Sequence, residues 1–542
     1  MPEALRRVAL EAGLFLLSAL ALLRHWLLPG RLPGSPTGEG PQRLFEAHQL
    51  TRWLTGEAPL GQADLLAWPE GRGLWPVGPL IDALHTPLTW LVGDSLAMAL
   101  VGVLLLTLAG LGPAVLARVA GAGRAGALAA GAMVQLSPYL LTNLDQMVIE
   151  LGAIGVAALA AAAILHALRG GPWWPALVGI GATALCSPYY ALFLALGCAL
   201  TLPVVRTRRW LPIATGGALV CTLALAPFVA IEGSGAGRLS QDFSQGFTVG
   251  PGQRVHVDGS KPRLGRKDPR PQAPAPSRWK EVVLRWPAGV VPCGLLLLGL
   301  VSPRSRRWSA LGLVFFLLGP GVPSLVRAFG ARGGELAGPI QWLLKELPGG
   351  SLFGNPQRML LAVTVCSSTA AALLLDRRRA WAGGVLLLLV GELWLGRPDL
   401  AVAASRDDFD EAVVDALDGP FALFPSGDPP LWMPNAARGE TLLYAGRSGS
   451  PTPYDRATGH GAADLDLLMA LAEAAHVPVG RGALQDHSRF DRQVQYLVLQ
   501  HSRLSPDEEE GARGWLQEHA VLVVEGETAS LFRVTSSAPG PR

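Results

Sequence analysis

The chain has 542 residues, of which 50% are hydrophobic and only 16% charged. That is more apolar side chain than a water-soluble fold of this length can hide, so lipid must solvate the excess and the composition implies an integral membrane protein. The net charge of +3 is small and unevenly spread, which excludes a nucleic-acid footprint and bears instead on orientation across the bilayer.

Met1 to Arg7 is basic and is followed by an apolar run over residues 8–28. The run is long, contains Glu11 and has no small-x-small site before Arg31, so it reads as a retained first helix and not as a cleaved signal. Further spans are predicted over 91–116, 125–141, 148–168, 174–185, 191–205, 211–231, 287–301, 309–329, 359–375 and 380–395, giving about eleven helices of membrane-crossing character. Arg6/Arg7, Arg118/Arg124, Arg169, Arg206/Arg208/Arg209, Arg304/Arg306/Arg307 and Arg377/Arg378/Arg379 fall on every second connection, which the positive-inside rule assigns to the cytoplasm. The other connections, chiefly 29–90, 232–286 and 330–358, then face outward.

An odd number of spans with the N-terminus inside puts everything after residue 396 on the outer face. The predicted architecture is therefore a mainly α-helical polytopic membrane domain, 1–396, followed by an extracytoplasmic α/β domain, 397–542. In the latter, apolar runs at 421–424, 496–499, 521–524 and 530–534 alternate with amphipathic helical stretches at 464–475 and 506–519. About 140 residues suffice for one core. The outer segment 233–280 is rich in Gly, Pro and Arg and lacks hydrophobic periodicity. All five cysteines lie in apolar stretches, so neither disulfides nor a Cys metal site is expected. The histidines lack the spacing of a zinc site.

Several short motifs fall in a recognisable order. The first outer segment carries Gly38-Glu39-Gly40, Phe45, Trp53, Gly56-Glu57-Ala58-Pro59-Leu60 and Trp68-Pro69-Glu70-Gly71. Ser137-Pro138-Tyr139 and Ser187-Pro188-Tyr189-Tyr190 end helices on the outer side, Phe353-Gly354-Asn355-Pro356-Gln357-Arg358 precedes a late helix, and Tyr496 to His501 leads into an acidic helix and a last strand. In this order the chain resembles the GT-C superfamily of polytopic glycosyltransferases, in particular bacterial members with an outer C-terminal domain. It departs from them at the first outer acid, most often an Asp paired with a second acid, where Glu39 here stands without an adjacent carboxylate.

The resemblance implies transfer of a sugar from a polyprenyl-phosphate donor to a hydroxyl of a glycan, lipid or protein acceptor at the outer surface of the cytoplasmic (inner) membrane, with inversion. Such a reaction needs a carboxylate to take the acceptor proton, and Glu39 between two glycines is the candidate. Arg358 sits at the outer entrance of a span, against the charge rule, and a guanidinium there suits a phosphate; Lys345, Arg332 and Arg24 are candidate helpers. Glu46 and His48, on a predicted interfacial helix whose Phe45, Leu50, Trp53 and Leu54 dip into lipid, are candidate assisting groups, as are Asp145 and Glu150, placed near the interface where hydration is cheap. Asp64 and Glu70 are weaker candidates, and Glu392 and Glu11 read as packing or interfacial groups. Tyr454, Asp455 and His460 form a polar loop suited to an acceptor glycan. A Mg2+ or Mn2+ at Glu39 stays open as a cofactor. Two other functions compete: a catalytically inactive scaffold that binds envelope polysaccharide precursors, which the isolated Glu39 favours, and a flippase for a lipid-linked saccharide, which the one-sided outer domain disfavours.

Overall fold

The computed structural model describes residues 3–28, 31–34, 40–63, 72–73, 78–145, 147–201, 209–233, 290–318, 358–376, 379–396, 402–405, 421–424, 496–501, 506–526 and 529–535, with 412–413, 416, 471 and 504. The helical part opens with α1 (Glu3–Leu22), a 3-10 turn (Arg24–Leu27) and the short strand β1 (Arg31–Pro33). Helix α2 (Gly40–Thr55) follows, then the two-residue strands β2 (Gln62–Ala63) and β3 (Arg72–Gly73), and α3 (Pro79–Val92). The bundle continues through α4 (Asp94–Ala120), α5 (Arg124–Gln135), α6 (Pro138–Asp145), a 3-10 turn (Ile149–Ala153), α7 (Ile154–Leu168), α8 (Trp174–Cys186), α9 (Pro188–Thr201) and α10 (Trp210–Gly233). It closes with α11 (Val290–Val301), α12 (Arg306–Leu318), α13 (Met359–Leu375) and α14 (Arg379–Gly396).

Among the described residues, four stretches are long and apolar enough to cross a membrane: Ser95–Ala120, Arg124–Asp145, Ile149–Leu168 and Trp210–Ala230. Shorter apolar helices run over Ala9–Leu22, Trp174–Cys186, Pro188–Thr201, Val291–Val301, Met359–Leu375 and Gly383–Glu392. The segment 29–90 holds more regular structure than its sequence suggests. Pro79 starts α3 at the position where a missing N–H costs nothing, and that helix buries Ile81, Asp82, His85 and Thr86.

Helix α13 is the axis of the bundle, buried along nearly its whole length and packed on α4, α5, α11 and α12. Its small and hydroxyl residues suit that place: Thr364, Ser367 and Thr369 return their hydroxyls to carbonyls one turn back, so the buried polar atoms are satisfied within the helix. Helices α4 and α7 touch backbone to backbone at Gly112 and Gly155, where a Cβ on Gly155 would sit 2.1 Å from the Leu108 carbonyl oxygen. Small residues permit this approach, as in other lipid-embedded bundles. By contrast, α10 turns Leu219 and Leu223, 61% and 66% exposed, away from the protein.

The two ends of the bundle differ in chemistry. At one, the buried carboxylate of Glu11 accepts from Arg118 and lies 3.5 Å from Arg124. Nearby, Asp376 accepts from the Gly123 amide and Arg169 donates to the Val119 carbonyl. The connections that the charge rule groups together thus meet in space. At the far end of α13, about 26 Å away by helical rise, sits Arg358. Beyond the helices, β1 pairs antiparallel with β4 (Val402–Ser405), with Arg31 opposite Ser405 and Pro33 opposite Val402. The chain leaving the first helix and the chain leaving the last therefore run side by side.

The C-terminal part contains a four-stranded sheet in the order β5-β6-β8-β7. It is built from β5 (Phe421–Phe424), β6 (Tyr496–Gln500), β7 (Ala520–Glu525) and β8 (Ala529–Val534), with α15 (Pro506–His519) between β6 and β7. Strands β5 and β6 are parallel, while β6–β8 and β8–β7 are antiparallel. Ala512 and Leu516 of α15 pack on Leu497, Leu499 and Phe532. Asp507, Glu508 and Glu509 occupy the first turn of α15, where the helix dipole favours negative charge. Of the predicted helix at 464–475, only Leu471 is among the described residues.

Candidate active site

The site is assembled from segments far apart in the chain. Arg358 stands at the N-terminal end of α13, and its Nη1 lies 2.9 Å from Glu150 Oε1. The other carboxylate oxygen, Oε2, accepts from Arg43 Nη2 at 2.6 Å. Glu150 is 1% exposed, and the side chains of Arg43 and Arg358 are 5% and 12% exposed. The Arg358 guanidinium also stacks over the Tyr189 ring, 4.2 Å from its centroid, a favourable cation–π distance.

Local sequence explains how each group arrives there. In both Ser-Pro-Tyr motifs a helix ends and another begins: α5 gives way to α6 at Ser137-Pro138, and α8 to α9 at Ser187-Pro188. Proline cannot continue the first helix but fits the first turn of the next, so each motif presents its tyrosines at a new helix start. Tyr190 anchors the second start by donating to the Leu151 carbonyl at 2.8 Å, next to Glu150. Met147, with φ of 59°, reverses the chain between α6 and the turn carrying Glu150. Gly34, at φ of 90°, packs against that reversal so closely that a Cβ would lie 2.2 Å from Met147 Cγ. The end of β1 is thereby held three residues from Glu150, and α2 follows from it.

Helix α2 brings Arg43 inward. Arg43, Ala47, Gln49 and Trp53 are buried, whereas Leu54 is 65% exposed. A helix does span these residues, but Trp53, expected to dip into lipid, is buried within the protein, and α2 packs on α3. Glu46 and His48 lie on this helix, with side chains outside the described residues.

The remaining candidates separate. Asp145 and Glu150 are 8% and 1% exposed, so neither is the cheaply hydrated interfacial group that position alone suggests. Arg24 is exposed and donates to His25 at 3.2 Å. Glu39, Asp64, Glu70, Arg332, Lys345, Tyr454, Asp455 and His460 lie outside the described residues. Arg43 and the aromatic platform of Tyr189 were not singled out from sequence. The available signal was a second arginine on an outward segment, in the 43, 47, 50 register of one helix face.

Among the described residues, no three His, Cys, Asp or Glu come together to hold a metal. Glu150 does not fit one, since a carboxylate already shared by two guanidiniums is a poor ligand for a divalent cation. The two guanidiniums beside it favour a negatively charged group over a cation.

No family model and no curated protein matches the chain. Among solved structures, it is similar over 98% of its length to arabinofuranosyltransferase AftD from Mycobacteria, at 14% identity and a TM-score of 0.46, spanning 41% of that longer chain. It is also similar to ArnT from Cupriavidus metallidurans, covering 98% of this chain and 99% of that one. The apo form gives 13% identity and a TM-score of 0.39. The form bound to undecaprenyl phosphate gives 14% and 0.38.

Proposed function

We propose that this protein is a multi-pass membrane glycosyltransferase of the GT-C type, with about eleven crossings, that moves a sugar from a polyprenyl-phosphate donor to an acceptor hydroxyl on the outer face of the cytoplasmic membrane. The observation that carries this reading is the largely buried Arg358, in contact with Glu150 and Tyr189 at the end of α13 opposite the arginine-rich connections. A cation is costly to bury at a bundle end, and a lipid-linked phosphate entering sideways from the membrane gives it a task. The β1–β4 pairing supports a C-terminal sheet on the same side as the first outer segment.

The chemistry follows from the donor. The acceptor oxygen attacks the anomeric carbon from the face opposite the phosphate; the bond from that carbon to the phosphate oxygen breaks, and its electron pair stays on the phosphate. The acceptor proton passes to the Glu39 carboxylate, so charge balances and the anomeric centre inverts. Arg358 stabilises the negative charge that grows on the leaving phosphate, with Lys345 as helper. Tyr454, Asp455 and His460 orient the acceptor glycan.

The test is transfer from radiolabelled polyprenyl-phosphate sugars by the purified full-length protein. Glu39→Gln should abolish transfer while retaining donor binding, and Arg358→Ala should raise the donor KM. Wild-type rates in Glu39→Gln would remove the mechanism. The scaffold reading draws on Glu39 having no adjacent carboxylate, and it predicts donor-lipid or glycan binding with no transfer from any donor by the wild-type chain.

A further inference from the structure

We propose that Arg43 is a second ligand of the donor phosphate, and that Glu150 is the positioning residue that holds the Arg43 and Arg358 guanidiniums side by side; this deepens, and rests on, the donor reading above. Two like charges would separate if left alone. Here each contacts a different oxygen of one carboxylate, Arg43 at 2.6 Å and Arg358 at 2.9 Å, so Glu150 fixes both their spacing and their orientation. Tyr189, stacked on Arg358, restricts the second guanidinium further. A planar guanidinium binds phosphate through paired N–H groups, and two of them oriented by one brace can hold one phosphate from two sides.

Charge also favours this. A polyprenyl phosphosugar is a phosphodiester with one negative charge, which guanidiniums attract. When the sugar leaves, the phosphate becomes a monoester carrying about −1.5 to −2 charge near pH 7, so the pair of arginines binds the departing group more strongly than the substrate. Arg43 lies in the first turns of α2, which begins at Gly40, the residue directly after Glu39.

The experiment uses the full-length protein in nanodiscs and compares undecaprenyl phosphate with the uncharged undecaprenol, with thermal unfolding recorded for every variant. Arg43→Ala should weaken phosphate binding by about 10- to 100-fold, the range of a charged hydrogen bond, and leave alcohol binding unchanged. Arg43→Lys, a milder change should Arg43→Ala fail to fold, should keep part of the preference for phosphate. Glu150→Gln should also weaken phosphate binding, although it removes a negative charge, and Glu150→Asp should recover part of the loss. Glu57→Gln, on the exposed turn after α2, should alter neither.

Equal losses for phosphate and alcohol in the Arg43 variants would make Arg43 a structural brace and overturn the proposal. Tighter phosphate binding in Glu150→Gln would overturn the positioning role. If Arg358→Ala loses the phosphate preference and Arg43→Ala keeps it, the Arg43 assignment falls while the donor reading stands. A wild-type protein with no preference for phosphate over alcohol would bring down both.

Discussion

Replacing Glu150 by Leu should be among the most destabilising single changes in the bundle. Its carboxylate is 1% exposed and sits between guanidiniums 5% and 12% exposed, so little water screens the three charges. With an effective dielectric constant of about 20 and charge centres about 4 Å apart, each attraction is on the order of 4 kcal/mol, and the mutual repulsion of the arginines offsets part of the sum. Losing the carboxylate leaves that repulsion in place, and breaking a buried pair by removing one partner typically costs about 3–5 kcal/mol. The assay is denaturant unfolding of the purified protein in mixed micelles, followed by tryptophan fluorescence. The combined Arg43→Met, Glu150→Leu, Arg358→Met variant should recover most of the loss, because no charge then remains to be desolvated. A Glu150→Leu protein within about 1 kcal/mol of wild type would refute the reasoning, since that is the worth of a solvent-screened pair. So would a triple variant no more stable than the single one.

Other consequences can be checked separately. Gly155→Leu should force α4 and α7 apart, since even a Cβ would lie 2.1 Å from the Leu108 carbonyl oxygen; a loss of at least about 1–3 kcal/mol is expected in the same unfolding assay, whereas Gly391→Leu, with open space around it, should be tolerated. In the sheet domain, burial is the largest influence on His501 and holds its pKa below the usual value, despite Glu509 2.9 Å from its Nδ1. The unfolded chain therefore binds that proton more readily, so the contribution is present above about pH 6.5 and is lost as pH falls below it through the folded-state pKa. His501→Gln should flatten the slope of stability against pH in that window; an unchanged slope would show that His501 is not its source. Gly514→Cys, on the exposed face of α15, should react with a membrane-impermeant maleimide in intact cells if the C-terminal domain is extracytoplasmic. Labelling only after permeabilisation would reverse the proposed orientation.

Much of the frame was legible in the chain because lipid exposure writes itself into composition. Apolar runs separated by arginine clusters located α4, α5, α7 and α10, and Arg118, Arg124 and Arg169 fall at one end of the bundle, where Glu11 and Asp376 join them. The strands at 421–424, 496–499, 521–524 and 530–534 and the helix at 506–519 were equally readable, since alternation and an acidic first turn are local signals. Helix α3 was not, because Pro87 interrupts a short pattern that only its packing on α2, α4 and α8 sustains.

The sequence by itself determined that the chain lives in lipid, where many of its helices run, and that Arg358 is out of place by charge. Only the tertiary structure decided what Arg358 faces. Glu150 lies 107 residues from Arg43 in the chain, and Tyr189 and Arg358 are further away still. They meet because β1 is pinned on the Met147 reversal, α2 packs inward on α3, and two Ser-Pro breaks restart helices at the same end of the bundle. A carboxylate at a span's end is written the same way in sequence whether it faces water or two largely buried arginines. Burial and pairing belong to the packed state, where removing water makes each remaining charge depend on its neighbours.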